Sequence, residues 1–133
     1  MAAPAPYIIF PGTAREALTF YRDVFGGQLT LHTFGEFSRD DGPAELIAHG
    51  LLHGDVDLFG ADAAPGEATV KVEGLMFSLL GAADPTTLHG WFDRLAERGT
   101  VLEPLEVKPW GAADGQLVDR FGVRWLIGYE RPD

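Results

Sequence analysis

Apolar residues recur along this chain with two alternating periods, and the alternation repeats. After a short extended run, "YIIF", the segment "PGTAREALTFYRDVFGG" places Ala17, Leu18, Tyr21, Val24 and Phe25 on one helical stripe. Thr13 and Glu16 have the spacing of a capping box, and Gly26-Gly27 supplies a stop. "QLTLHTF", "AELIAHGLL" and "DVDLFG" follow as short strands, the last two joined by His53-Gly54 as a two-residue hairpin turn. Residues 60–73 are small, polar and Pro/Gly-containing, the composition of a connector. The pattern then restarts. "LMFSLL" reads as a strand, Asp84-Pro85 as a helix cap with proline at the first helical position, and "TTLHGWFDRLAERG" as a helix ending at Gly99. Leu88, Trp91, Phe92 and Leu95 repeat the spacing of Ala17, Phe20, Tyr21 and Val24 at a constant offset of 71. "TVLEPLEV", a loop at Trp110-Gly111, "GQLVD" and "VRWLIGYE" complete three more strands. The pattern predicts an α+β fold built from tandem βαβββ modules, residues 5–61 and 73–130, within one domain.

Composition narrows the function classes. With 133 residues the chain has the length of a single ordinary domain. Twenty acidic against ten basic residues give a net charge of −10, which would repel a nucleic-acid backbone or an anionic membrane surface. The absence of cysteine removes disulfides, thiolate nucleophiles and Cys-ligated zinc together. "MAAPAPYIIF" carries no basic region and only a four-residue apolar run, so a soluble, cytoplasmic protein is expected. No strand enters a G-x-G-x-x-G helix and no Walker motif occurs, so the glycines are assigned to turns.

The tandem, with "ALTFYRDVFGGQL" in its first helix and "VDRFGVRW" before its last strand, resembles the vicinal oxygen chelate superfamily of glyoxalase I, bleomycin-resistance proteins and extradiol dioxygenases. "PYIIF", "IAHGLLHGDVDLFGAD" and "KPWGAADGQLVDRFGVRW" resemble its PhnB-like branch. The resemblance covers nearly the whole chain. It implies a strongly curved sheet in each module, a cup made by the two sheets, and a homodimer. In metal-using members His, Gln or Glu side chains on the first and last strand of each module hold a divalent ion. Carried over, those positions become Pro6, Asp57 or Leu58, a residue within Gly74 to Met76, and Leu126. A one-residue shift brings in Glu73 or Trp125. Only Asp57 coordinates in the unshifted set, and a catalytic ion ordinarily needs about three protein ligands. No metal and no cofactor are therefore expected.

The remaining polar residues keep open readings. His49 and His53 spell "HGLLH", but on a strand residues four apart lie about 13 Å apart, too far for one ion. His49 is either a hydrogen-bonded sheet histidine or a ligand contact. His53 reads as a turn residue and His89 as a solvated helix residue. His32 alternates with Leu31 and is expected on the opposite side, toward the cup. Asp57 projects into the cup or faces water. Trp110 is a lid over an apolar ligand or a packing residue. If Leu126 points into the cup, Trp125 is core and Arg124 grips an anionic ligand group. Together with Phe10 at the end of the first strand, His32, His49, Asp57, Trp110 and Arg124 form the candidate ligand-binding set; no residue is assigned to catalysis.

The function these readings imply is metal-independent binding of a small molecule, as bleomycin-resistance proteins do when they sequester a drug. The alternative is a metal-dependent glyoxalase- or dioxygenase-type enzyme in which His32, His49 and Asp57 converge. A methyltransferase role, a name attached to PhnB-like proteins, lacks an S-adenosylmethionine-type glycine loop. The remaining alternative is a purely structural or interaction protein, which a monomeric molecule without a cavity would favour.

Overall fold

The computed structural model describes residues 4–130. The chain divides into two compact units, with the boundary between Val70 and Lys71. Unit 1 contains β1 (Tyr7–Phe10), α1 (Ala14–Phe25), β2 (Gln28–Thr33), β3 (Ile47–His53) and β4 (Leu58–Asp62). Unit 2 contains β5 (Phe77–Leu80), α2 (Pro85–Ala96), β6 (Thr100–Val107), β7 (Ala113–Val118) and β8 (Arg124–Tyr129). Both helices have 12 residues, and the offset of 71 lays one on the other.

Each unit forms one mixed four-stranded sheet, ordered β1-β4-β3-β2 and β5-β8-β7-β6. The first and last strands of each unit pair in parallel, and the other pairs are antiparallel. A parallel pair needs a crossover, so the unit cannot close as a simple meander.

The helices are held by their apolar stripes. Ala14, Ala17, Leu18, Tyr21, Val24 and Phe25 of α1 are buried, and α1 lies against β2, β3 and β4. Leu88, Trp91, Phe92 and Leu95 of α2 are buried, and α2 lies against β6, β7 and β8. Each large apolar side chain removed from water contributes about 1.5–3 kcal/mol. Gly50 of β3 lets Leu18 approach, since a Cβ there would stand 2.4 Å from Leu18 Cδ1.

The helix starts differ from one another. Asp84 caps α2 as the sequence predicts, its Oδ1 accepting from the Thr87 N–H at 2.8 Å, with Pro85 at the first helical position. At α1 the Thr13 side chain makes no cap bond. Asp62, at the end of β4, accepts from the Ala14 N–H at 2.9 Å through Oδ1 and from the Ile47 N–H at 2.8 Å through Oδ2. The capping box is thus replaced by a buried carboxyl from a strand 48 residues away.

Two boundaries also move. His53 is the last residue of β3, not a turn residue, and residues 54–57 make a longer turn. β4 runs through Asp62, which shortens the predicted connector at its start.

Candidate functional site

The two-residue period of unit 1 separates its sheet into a helix-covered side and an open side. Gly50, Leu52, Leu58 and Gly60 are buried, and Gly50 pairs with Gly60 as Leu52 pairs with Leu58. Tyr7, Phe59, His49 and His32 take the alternate positions. His32 and His49 face each other across β2 and β3 in register.

These side chains form a row of rings across the open side. Tyr7 stacks on His49 with centroids 5.6 Å apart and planes 17° apart. His49 stacks on His32 at 6.4 Å and 12°, and His32 on Phe37 at 5.7 Å and 18°. Neighbouring rings thus turn their faces to one another.

Hydrogen bonds at both ends orient the two imidazoles. Tyr7 Oη lies 2.8 Å from His49 Nδ1, and Glu36 Oε2 lies 2.9 Å from His32 Nδ1. A carboxylate only accepts, so the hydrogen of this second bond sits on His32 Nδ1; when that ring is neutral its Nε2 is an acceptor. Glu36 reaches His32 because the β2–β3 register shifts between His32 and Thr33, and Thr33 Oγ1 then accepts from the Glu36 N–H at 3.1 Å. Burial, and secondarily the Glu67 carboxylate, raises the Tyr7 phenol above its ordinary value. At neutral pH Tyr7 therefore keeps its proton.

Of the candidate ligand-binding residues in unit 1, the structure brings His32 and His49 together and places Asp57 and Phe10 elsewhere. Asp57 is exposed in the β3–β4 turn, where Oδ1 accepts from the Gly54 N–H at 3.1 Å and lies 3.7 Å from His53 Nδ1. The water-facing alternative for Asp57 is the one observed. Phe10 is fully buried, close behind Gly60, and belongs to the core of unit 1. Trp110 is 71% exposed in the β6–β7 turn.

In unit 2, Trp125 and Ile127 are buried while Arg124 and Leu126 alternate with them on the other side. Arg124 Nη2 donates to Gln116 Oε1 at 2.6 Å, and Arg124 Nε, also buried, has no hydrogen-bond partner among the described residues. Trp125 Nε1 donates to Asp119 Oδ2 at 2.9 Å. His89 is not a solvated helix residue: its Nε2 lies 2.8 Å from the Tyr129 hydroxyl, and the two rings meet edge to face at 5.6 Å.

Sequence reasoning missed Tyr7, Glu36 and Phe37. Tyr7 was legible in principle, because alternation from the buried Ile8 and Phe10 puts it on the open side. Glu36 and Phe37 lie beyond the strand end, where no period applies.

The profile of the Glyoxalase/Bleomycin resistance protein/Dioxygenase superfamily matches residues 4–127. The chain belongs to this superfamily. Protein YjdN of Escherichia coli strain K12 is 27% identical over 135 residues, covering 92% of each chain. The crystal structure of PA1353 from Pseudomonas aeruginosa aligns with a TM-score of 0.82 and 31% identity, over 99% of this chain and all of that one. A Bacillus cereus structure described as PhnB protein, a putative 3-demethylubiquinone-9 3-methyltransferase, aligns with a TM-score of 0.79 over 96% of this chain and 99% of its own; at 20% identity it shows the fold alone. The protein is thus a PhnB- and YjdN-like superfamily member with two βαβββ modules.

The residues at the superfamily's ion-holding positions do not fit a divalent ion. Pro6, Gly74, Leu75 and Met76 have no donor side chain of the required kind, Leu58 is 1% exposed within the core, and Leu126 sits between Ser78 and Gln116. Glu73 is exposed beside Lys71 at 3.3 Å, and Trp125 is committed to Asp119. Among the described residues no group of three His, Cys, Asp or Glu side chains is arranged to hold a metal.

Proposed function

We propose that this PhnB-like protein binds a small organic molecule, without a resident metal, on the open side of the unit 1 sheet. The observation that carries the reading is the ring row of Tyr7, His49, His32 and Phe37, in which both imidazole Nδ1 atoms are engaged within the protein. What remains for a ligand is the row of rings and the two Nε2 atoms, which make none of these bonds. An apolar surface with a few convergent polar atoms is the ordinary make-up of a small-molecule site. Such a surface suits a flat molecule that lies across the rings and presents N–H or O–H donors to Nε2 of His32. In unit 2, the Arg124 guanidinium, held at one nitrogen by Gln116, is a candidate for an anionic group. The protein acts, in this reading, as a homodimer in the cytoplasm.

Native mass spectrometry of the protein purified from its own cells tests the proposal. A dimer mass carrying an organic adduct and no stoichiometric divalent ion is expected, with the adduct lost in the folded His32→Ala/His49→Ala variant. A divalent ion retained through dialysis, or an adduct indifferent to that double substitution, overturns it.

A further inference from the structure

Because the two units share one topology, their positions compare strand by strand, and the comparison exposes a difference in filling. In unit 1 the Phe34 N–H, just after β2, donates to the Leu46 carbonyl, just before β3, at 2.8 Å. In unit 2 the Lys108 N–H, just after β6, donates to the Ala112 carbonyl, just before β7, also at 2.8 Å. The matched bonds set Phe34 against Lys108, Leu46 against Ala112, and Ile47 against Ala113.

Phe34 and Ile47 are fully buried. Lys108, its side chain 13% exposed, reaches toward Glu103, with Nζ 3.7 Å from Oε2, and the two alanines contribute only methyl groups. The strand ends differ as well: Asp62 ties down the Ala14 and Ile47 N–H groups, whereas Tyr129 reaches the His89 ring. The missing side-chain volume appears in unit 2 as a half-open, mostly apolar cavity of about 320 Å³. Leu80, Ala112, Ala113 and Tyr129 wall it, and Asp114 and Glu130 also line it.

The lining selects a chemistry. Among the described residues no lysine or arginine lines the cavity, and neither Asp114 nor Glu130 has a hydrogen-bond or ion-pair partner. Carboxylates beside an apolar wall favour a cation that brings its own apolar body. The net charge of −10 raises the local concentration of such cations. At roughly 30 Å³ per group, the share of one liquid water, the space suits about ten non-hydrogen atoms.

We propose that this cavity is a binding site for a small organic cation, an amine or quaternary ammonium on an aromatic or aliphatic body. The proposal does not rest on the function proposed for the unit 1 ring row.

Backbone amide NMR of the full chain, titrated with benzylamine and in parallel with benzyl alcohol, tests this. Benzylamine is expected to shift the Gly81, Ala112 and Ala113 amides saturably, with a dissociation constant on the order of millimolar. Benzyl alcohol should bind about fivefold more weakly, the difference that partly exposed charge pairs supply. Asp114→Asn/Glu130→Gln should erase that preference. Ala112→Leu, which restores the residue found at the matched place in unit 1, should abolish the shifts while leaving the spectrum folded. His32→Ala/His49→Ala should leave them unchanged, so failure of either site is read independently. Absence of saturable shifts, equal response to the alcohol, or persistence of the preference in the double carboxamide variant overturns the proposal.

Discussion

Replacing Asp62 with alanine removes the acceptor that ties the start of α1 to the start of β3. Asp62 is 3% exposed, and its two oxygens receive the Ala14 and Ile47 N–H groups at 2.9 and 2.8 Å. The Ala14 N–H is one of the first four in α1, which have no partner within the helix. A hydrogen bond to a charged group is worth about 1.5–3 kcal/mol net, and a buried donor left without a partner costs about 1–3 kcal/mol. These figures describe the same loss from two sides, so they are not summed. Two such bonds set the cost of Asp62→Ala at about 3–6 kcal/mol, a large part of the roughly 5–15 kcal/mol available to a natural domain. Asp62→Asn keeps one carbonyl acceptor but points an amide N–H₂ at the other donor, so about half of the loss, some 1.5–3 kcal/mol, should remain.

Urea unfolding followed by circular dichroism gives the free energies, provided the slope with denaturant is unchanged. Asp57→Ala, at the exposed β3–β4 turn, is the control and should change stability by less than about 1 kcal/mol. Hydrogen exchange adds a local reading, since the Ala14 and Ile47 amides should lose protection in Asp62→Ala before the rest of unit 1 does. If Asp62→Ala matched the control within error, or if those two amides kept their protection, the buried carboxyl would not be what anchors the helix.

Two further outcomes follow from the same geometry. Asp84 has its carboxyl held below the ordinary aspartate range by the Thr87 N–H, then by the Thr87 side chain, so its contribution is present above the unfolded value and is lost as pH falls through the lowered folded value. Asp84→Ala should therefore lower the thermal midpoint at neutral pH, with the difference from the parent vanishing in acid below the lowered folded value; an equal difference in neutral and acid solution would contradict this. Gly50→Ala sets a methyl against Leu18 Cδ1, Leu31 Cδ2 and the Gly60 carbonyl and should cost about 1–3 kcal/mol. Combined with Leu18→Ala, itself worth about 2–5 kcal/mol, the pair should be clearly less than additive in urea unfolding, and strict additivity would deny the contact.

The architecture was legible because it is written in short-range patterns. The helical stripe of Leu18, Tyr21 and Phe25, the Asp84-Pro85 start and the offset of 71 all act within a few residues or by repetition. Connections between distant segments left no comparable mark. Thr13 and Glu16 satisfy the local rule for a cap, yet the bond comes from Asp62 on another element, and no period in the sequence joins those positions. His89 was read from helix position alone, whereas its partner Tyr129 arrives on the last strand. Glu36 lies four residues from His32, a distance that excludes contact on a strand and permits it only after the chain turns at Thr33.

Duplication explains why the two units nevertheless present different chemistry. Equal strand order fixes equal backbone positions, so side-chain size at matched places decides whether a unit is filled or hollow. Phe34 and Ile47 fill unit 1 with its own chain, whereas Ala112 and Ala113 line a half-open cavity in unit 2 while the backbone hydrogen bond between Lys108 and Ala112 is kept. On the open side of unit 1 the same logic applies to ring chemistry. The register that brings His32 opposite His49 is backbone geometry, but the side chains of Tyr7 and Glu36 decide which ring nitrogens are occupied, taking the Nδ1 atoms. A repeated scaffold with unequal side chains thus carries a row of rings in one unit and a half-open cavity walled by Leu80, Ala112, Ala113 and Tyr129 in the other.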